Sequence, residues 1–227
     1  ETTQDFDGGG LPYFLQPNSG PAATIEAGGP TGNFLRLISN LQFNQSNAVL
    51  FPVTQEGPLA SMTVEFDFRM TQNPLRSLRA DGIGVGILDE ATYGKGGPGP
   101  FPSVTPAIGG VLGIGFDIFQ NGGEPNNNFI KVYANGNFIT QQVNPGFDLA
   151  NGKFNHAKIL LTRTEGGALL TLTLTPDGGS PADVLSAVFI PGWNLSGSRL
   201  AISGQAGGET ADHDIDNVSI NAVATAD

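Results

Sequence analysis

Apolar and polar positions alternate with a period of two over much of the chain, the spacing of a strand with one buried face. In residues 62–70, Met62, Val64, Phe66, Phe68 and Met70 fall on one face and Thr63, Glu65, Asp67 and Arg69 on the other. Leu170, Leu172 and Leu174 alternate in the same way with Thr171, Thr173 and Thr175. Shorter runs predict strands over residues 34–38, 49–53, 83–88, 111–119, 129–133, 138–142, 157–162, 184–189, 200–203 and 215–220. Segments with helical spacing are short and broken by Gly or Pro, so no helix is expected. Asn135-Gly136 separates two strand signals and reads as a tight hairpin, and Asp177-Gly178-Gly179 marks a second turn. Residues 94–106 are rich in Gly and Pro and form a loop, longer than a plain connector needs.

Composition fits this picture and narrows it. A chain of 227 residues with no internal repeat and no linker reads as a single domain, residues 1–227, built as two stacked antiparallel sheets. With 33 Gly, 16 Pro and 39% apolar residues, it is turn-rich β-structure rather than disordered chain. There is no cysteine, so neither disulfides nor thiolate metal sites enter, and redox compartment cannot be read from cysteine usage. The formal net charge of −11 sets nucleic acid aside as a partner and disfavours an anionic membrane surface. No apolar run is long enough to insert in a membrane. The chain opens at Glu1 without a Met, the pattern of a trimmed start.

Three polar clusters stand out: Arg79-Ala80-Asp81-Gly82, the run from Gly109-Gly110 through Asp117, Phe119 and Asn121 to Glu124, and residues 207–217. Asp117, Asn121 and Glu124 follow a strand in a short polar loop that offers carboxylate, amide and carbonyl oxygens, the ligands of a hard cation such as Ca²⁺. The same residue types also favour turns for reasons unrelated to metals.

In their order along the chain these clusters resemble the L-type lectins, a family that includes legume lectins, cargo receptors of the secretory pathway and bacterial relatives. The resemblance runs over roughly residues 62–220. It implies an all-β fold, an antiparallel two-sheet jelly-roll sandwich of the lectin/glucanase type. It also implies a secreted or cell-surface protein with a glycan or polysaccharide as partner. Carried over residue by residue, Asp81 accepts hydrogen bonds from sugar hydroxyls and Gly110 donates its backbone N–H. Asp117 and Asn121 ligate Ca²⁺ through their side chains, Phe119 through its carbonyl, and Glu124 stands where a further ligand belongs. Asn121 also donates to the sugar, the Phe119 ring covers its apolar face, and Gly207 or Gly208 adds backbone contacts. The pattern departs from the family at Gly115, where legume lectins place a transition-metal Glu, and in the missing metal-binding His after Asn126. Calcium is therefore the one metal expected, with an incomplete ligand set.

Other readings compete. Glycoside hydrolases on the same sandwich carry Glu-x-Asp-x-x-Glu on one strand; Glu65 and Asp67 match its start, but Met70 stands at its end, in phase with the buried face. No Gly-x-Ser-x-Gly elbow and no phosphate loop is present. A surface or filament subunit is the remaining alternative, with self-association through an exchangeable strand at residues 2–6 or, more simply, that segment as the first strand of its own sheet. His213 and Asp214 read as a structural pair rather than as ligand contacts. Asp212 and Asp216 read as turn or surface residues, and His156 as a histidine without a visible partner. The expectation is an extracellular carbohydrate-binding domain, non-catalytic and assisted by calcium.

Overall fold

A computed structural model describes residues 2–226. The strands in chain order are β1 Thr3–Gln4, β2 Phe14–Ser19, β3 Thr24–Ala27, β4 Asn33–Ile38, β5 Gln45–Leu50, β6 Leu59–Gln72, β7 Gly82–Asp89, β8 Val111–Asp117, β9 Phe129–Ala134, β10 Asn137–Val143, β11 Asn155–Thr164, β12 Gly167–Thr175, β13 Ala182–Pro191, β14 Ser198–Ala206 and β15 Ala211–Ala224. A single-turn helix, α1 Glu90–Tyr93, follows β7. It is capped by Asp89, whose side chain accepts from the Ala91 N–H. This turn of helix departs from the helix-free expectation.

The strands form two antiparallel sheets. One runs β13-β12-β11-β6-β15-β4-β3, with β1 added beside β15; the other runs β10-β9-β8-β7-β14-β5-β2. The segment at residues 2–6 pairs with its own chain, Thr3 opposite Ser219 and Gln4 opposite Val218. The Asn135-Gly136 hairpin joins β9 to β10, with φ of 50° and 82° at its two corners, the left-handed pair a two-residue hairpin requires. Two short strands, β2 and β3, lie where the apolar pattern gave no signal, because both are edge strands exposed over most of their length.

Strand β6 shows how alternation builds the core. Met62, Val64, Phe66, Phe68 and Met70 are all buried, and across the sandwich Phe116 of β8 meets Phe68 edge-on at 5.2 Å. Full burial of each such side chain stabilises by about 1.5–3 kcal/mol. The opposite face of β6 carries Glu65, Asp67 and Arg69. His156 of β11 bridges the first two, with Nδ1 2.8 Å from Asp67 and Nε2 3.3 Å from Glu65. His156 therefore has partners, contrary to expectation, and Met70 is confirmed on the buried face.

Asp214 and Asp216 are fully buried in β15, and Asp212 nearly so; Asp212 and Asp216 are therefore not the turn or surface residues their sequence context suggested. Asp214 binds Arg36 through two hydrogen bonds of 2.8 and 3.0 Å and Arg69 at 2.9 Å. Arg69 in turn lies over the Phe34 and Phe154 rings at 4.9 and 4.3 Å. A buried carboxylate needs such partners.

The central strands of the seven-stranded sheet alternate differently. Ile83, Val85 and Ile87 of β7 face the core, as do Leu112, Ile114 and Phe116 of β8. Their outward positions are Gly84 and Gly86, paired across the ladder with Gly115 and Gly113. This glycine trough holds residues 102–106, which cross the sheet as a strap. A Cβ on Gly84 would lie 2.0 Å from the Pro102 carbonyl oxygen, and one on Gly113 2.4 Å from the Pro106 ring. Ser203 of β14 donates to the Pro102 carbonyl. Arg199, fully buried, holds the preceding turn by donating to the carbonyls of Tyr93 at 3.0 Å, Pro98 at 3.2 Å and Gly97. The long Gly- and Pro-rich loop is thus fixed to the sheet, and both faces of β7 and β8 are covered.

Candidate functional site

The antiparallel pairing of β7 and β8 sets Gly82 opposite Asp117, so Asp81 and the loop after Asp117 emerge at the same end of the sheet. The Asp81 N–H donates to the Gln205 carbonyl at 2.8 Å, and the Asp81 carbonyl accepts from the Ile118 N–H at 3.0 Å. These bonds pin the backbone of Asp81 between β14 and the loop. The Ala80–Asp81 peptide is cis. Gly207 lies beside the carboxylate, where an added Cβ would be 4.0 Å from Asp81 Oδ2. Asp81, Gly207, Gly208, Phe119 and Asn121 therefore gather at one end of the sandwich.

Gly110 does not join them. It precedes β8 at the opposite end of the ladder, where Leu88 pairs with Val111, and donates its N–H to Asn135 at 3.0 Å. Seven residues of strand separate the two ends, about 23 Å at ~3.3 Å per residue. The expected sugar contact from Gly110 is corrected on that ground. The segment that does come over the Asp81 end is the strap, whose Val104 side chain would lie 2.8 Å from a Cβ on Gly82. The sequence marked this loop by its composition but gave no sign of where it lay.

The Asp81 carboxylate accepts no hydrogen bond among the described residues. Burial pushes its pKa up to about 6, helped by the nearby charges of Asp117 and Glu124 and opposed by Lys131. An acceptor half-removed from water and lacking an internal donor is ready for donors from outside.

The residues expected to hold calcium are drawn around a different cation. Lys131 of β9 places Nζ 2.6 Å from Asp117 Oδ2 and 2.9 Å from Glu124 Oε1. The first contact is an ion pair without the angle of a directed hydrogen bond; the second is a hydrogen bond. Asp117 Oδ1 accepts from the Phe119 N–H at 3.0 Å. Glu124 Oε2 accepts from the Asn121 backbone at 2.6 Å and from its side-chain amide at 3.0 Å. Burial raises Asp117 to about 6 against the pull of Lys131. For Glu124, burial is outweighed by Lys131 and Asn121, and its pKa falls. For Lys131, burial is outweighed by the two carboxylates, and its pKa rises.

Calcium requires about six to eight oxygens. Here both carboxylates are already engaged by an ammonium and by loop N–H groups, and among the described residues no group of three or more His, Cys, Asp or Glu is placed to hold a metal ion. The residues present do not fit a Ca²⁺ at Asp117, Phe119, Asn121 and Glu124 with Lys131 in place.

Beside Phe119 a groove of about 480 Å³ runs between residues 72–79 and Asn127, floored by Arg79, which pairs with Asp148 at 2.7 Å. A larger depression of about 540 Å³ lies elsewhere, around Asp67, Phe154, His156 and Pro176, and contains none of the residues expected to bind sugar or calcium. The free Asp81 carboxylate beside the loop makes the Asp81 end, with the groove next to it, the candidate site. His213 is fully buried, donates from Nδ1 to the Ala211 carbonyl at 2.8 Å and touches no opening, so it is structural.

Compared by sequence, the chain matches no protein-family model and no curated protein. Solved structures resemble it throughout. Peanut lectin in complex with a nine-residue peptide superposes with a TM-score of 0.68 at 18% identity, covering 98% of this chain and 97% of that one. Lectin I-B4 from Griffonia simplicifolia, in a metal-free form, gives 0.66 at 20% identity over 92% of each chain. The exoplasmic/lumenal domain of VIP36, bound to Ca²⁺ and mannose, gives 0.64 at 16% identity over 95% of this chain and 84% of that one.

Proposed function

We propose that this chain, whose fold is that of the L-type lectins, is an extracellular carbohydrate-binding domain that takes its ligand at Asp81, Asn121, the Phe119 ring and the Gly207-Gly208 turn. The observation that carries the reading is the Asp81 carboxylate, held by its backbone at the sheet end with no donor among the described residues. Hydroxyl groups of a neutral sugar donate to a carboxylate in strong, charge-assisted hydrogen bonds. The half-buried Phe119 ring suits the C–H face of a pyranose. Gly207 and Gly208 carry no side chain to block close approach, and the groove beside Phe119 gives a longer glycan room to extend. Solved relatives of this fold include complexes with mannose and with galactose.

The proposed activity is binding without catalysis. Retaining glycosidases need two carboxyl groups about 5–5.5 Å apart, both free to act on the sugar. Asp117 and Glu124, the charged neighbours of Asp81, are both engaged by Lys131. The test is a glycan array with the purified protein, repeated with Asp81→Ala and Asn121→Ala. Both variants should lose binding while unfolding within a few degrees of the wild type. Normal binding by both would remove the site from this end of the molecule.

A further inference from the structure

We propose that the Lys131 ammonium is the resident cation of the loop from Asp117 to Glu124, holding it as a divalent metal would, so that the site works without calcium. The inference rests on the carbohydrate reading for what the loop does, and on geometry alone for what holds the loop.

Lys131 sits opposite Gly115 in the β8–β9 ladder. A side chain at 115 would run into the lysine stem, since an added Cβ would come within 3.1 Å of Lys131 Cγ. Glycine therefore leaves the room through which the stem reaches the loop. The lysine side chain is only 4% exposed, and its ammonium also lies 5.1 Å from the centre of the Phe129 ring. All four oxygens of Asp117 and Glu124 are engaged: two by Lys131, one by the Phe119 N–H and one by Asn121. That leaves no oxygen of these two carboxylates without a partner. A divalent ion would have to expel the ammonium, which would then be buried without a counter-charge or forced out past the strap. The tethered charge is present at any external calcium concentration. Through Glu124 it also sets the backbone and amide of Asn121, which makes Lys131 a positioning residue for the proposed ligand contact.

The experiment is thermal unfolding and glycan binding, each in excess calcium and in chelator, on the wild type and on Lys131→Met. The methionine keeps the apolar stem and removes the charge. The wild type should unfold at the same temperature in both conditions and bind glycan equally in both. Lys131→Met in chelator should bind at least about tenfold more weakly, its two carboxylates left without a cation. Calcium should raise its unfolding temperature and recover binding, a gain that a purely structural role for Lys131 does not produce. A wild type stabilised by calcium, or a variant indifferent to it, overturns the assignment. If the variant does not fold, the wild-type comparison decides alone. Silence toward every glycan with the expected unfolding pattern removes the carbohydrate reading and leaves the resident cation standing.

Discussion

Substituting Gly84 by Ala tests whether the strap is clamped in its glycine trough. The added methyl would lie 2.0 Å from the Pro102 carbonyl oxygen and 2.3 Å from that of Ser103, where ordinary contact begins at 3.4 Å. Two backbone oxygens must therefore retreat by about 1 Å or more, and neither is the end of a flexible side chain. If the strap stays, overpacking of this kind costs about 1–3 kcal/mol. If it lifts, Val104 loses its burial, about 1.5 kcal/mol or more. The Ser203 hydroxyl also loses its bond to Pro102, about 1 kcal/mol. The first route reaches about 3 kcal/mol at most and the second sums to about 2.5, so a loss of about 2–3 kcal/mol is expected. For a chain of this length that is a fall in Tm of about 5–10 °C. Urea and thermal unfolding measure it, with Gly109→Ala as the control, because nothing lies within 4 Å of a Cβ there. Since Val104 reaches over Gly82, next to Asp81, glycan affinity should fall along with stability. A loss under about 0.5 kcal/mol, indistinguishable from the control, would refute the trough.

Two pH effects follow from buried groups, with opposite signs. Asp81 is raised to about 6, so the native state holds its proton more tightly than the unfolded chain does, and ionisation above that pH destabilises the fold. Asp81→Asn should therefore raise Tm at pH 7 while abolishing glycan binding. Wild-type affinity should decline as pH drops below about 6; affinity constant down to pH 4.5 would exclude Asp81 as the acceptor. His213 is held neutral by burial, its pKa lowered to about 4, and Nε2 has no partner among the described residues. The unfolded chain takes up that proton first, so the stability from a neutral His213 is complete above about 6.5 and is lost as pH falls toward 4, by about 3 kcal/mol in all. The stability difference between wild type and His213→Phe, measured in urea, should shrink by that amount between pH 7 and 4; a constant difference would mean His213 is not buried neutral.

The fold was legible wherever one face of a strand is buried and the other solvated. Strand β6 and the β11–β12 hairpin obey period two because each has a polar outer face. Strands β2 and β3 escaped because exposed edges impose no apolar pattern. Asp212 and Asp216 misled because a buried carboxylate and a turn carboxylate are the same letters; only partners far away in sequence, Arg36 for Asp212 and Thr31 for Asp216, distinguish them. Gly110 was misplaced for a related reason. A Gly-Gly pair just before a strand has the right chemistry for a backbone donor, but strand length puts it at the wrong end. Asp81 and the loop carrying Phe119 and Asn121 fall at one end of the sheet because adjacent antiparallel strands carry them, with little room for the register to slip. Lys131 gave no signal, since one lysine within an apolar strand reads as an outward surface charge.

Gly115 ties the two unforeseen features together. On its outward side it faces both the Val104 carbonyl oxygen of the strap and the stem of Lys131. The strap needs a bare backbone there to lie flat, and the lysine needs the same gap to reach Asp117 and Glu124. One missing side chain therefore serves the cover over the sheet and the cation beneath the loop. The arrangement also explains why an acidic loop is stable in a chain of net charge −11. Asp81, Asp117 and Glu124 repel one another at close quarters, and the single ammonium offsets two of them. Asp81 is left as the uncompensated acceptor facing outward. The electrostatic imbalance that destabilises this end of the sandwich is then the same feature on which the proposed ligand contact rests.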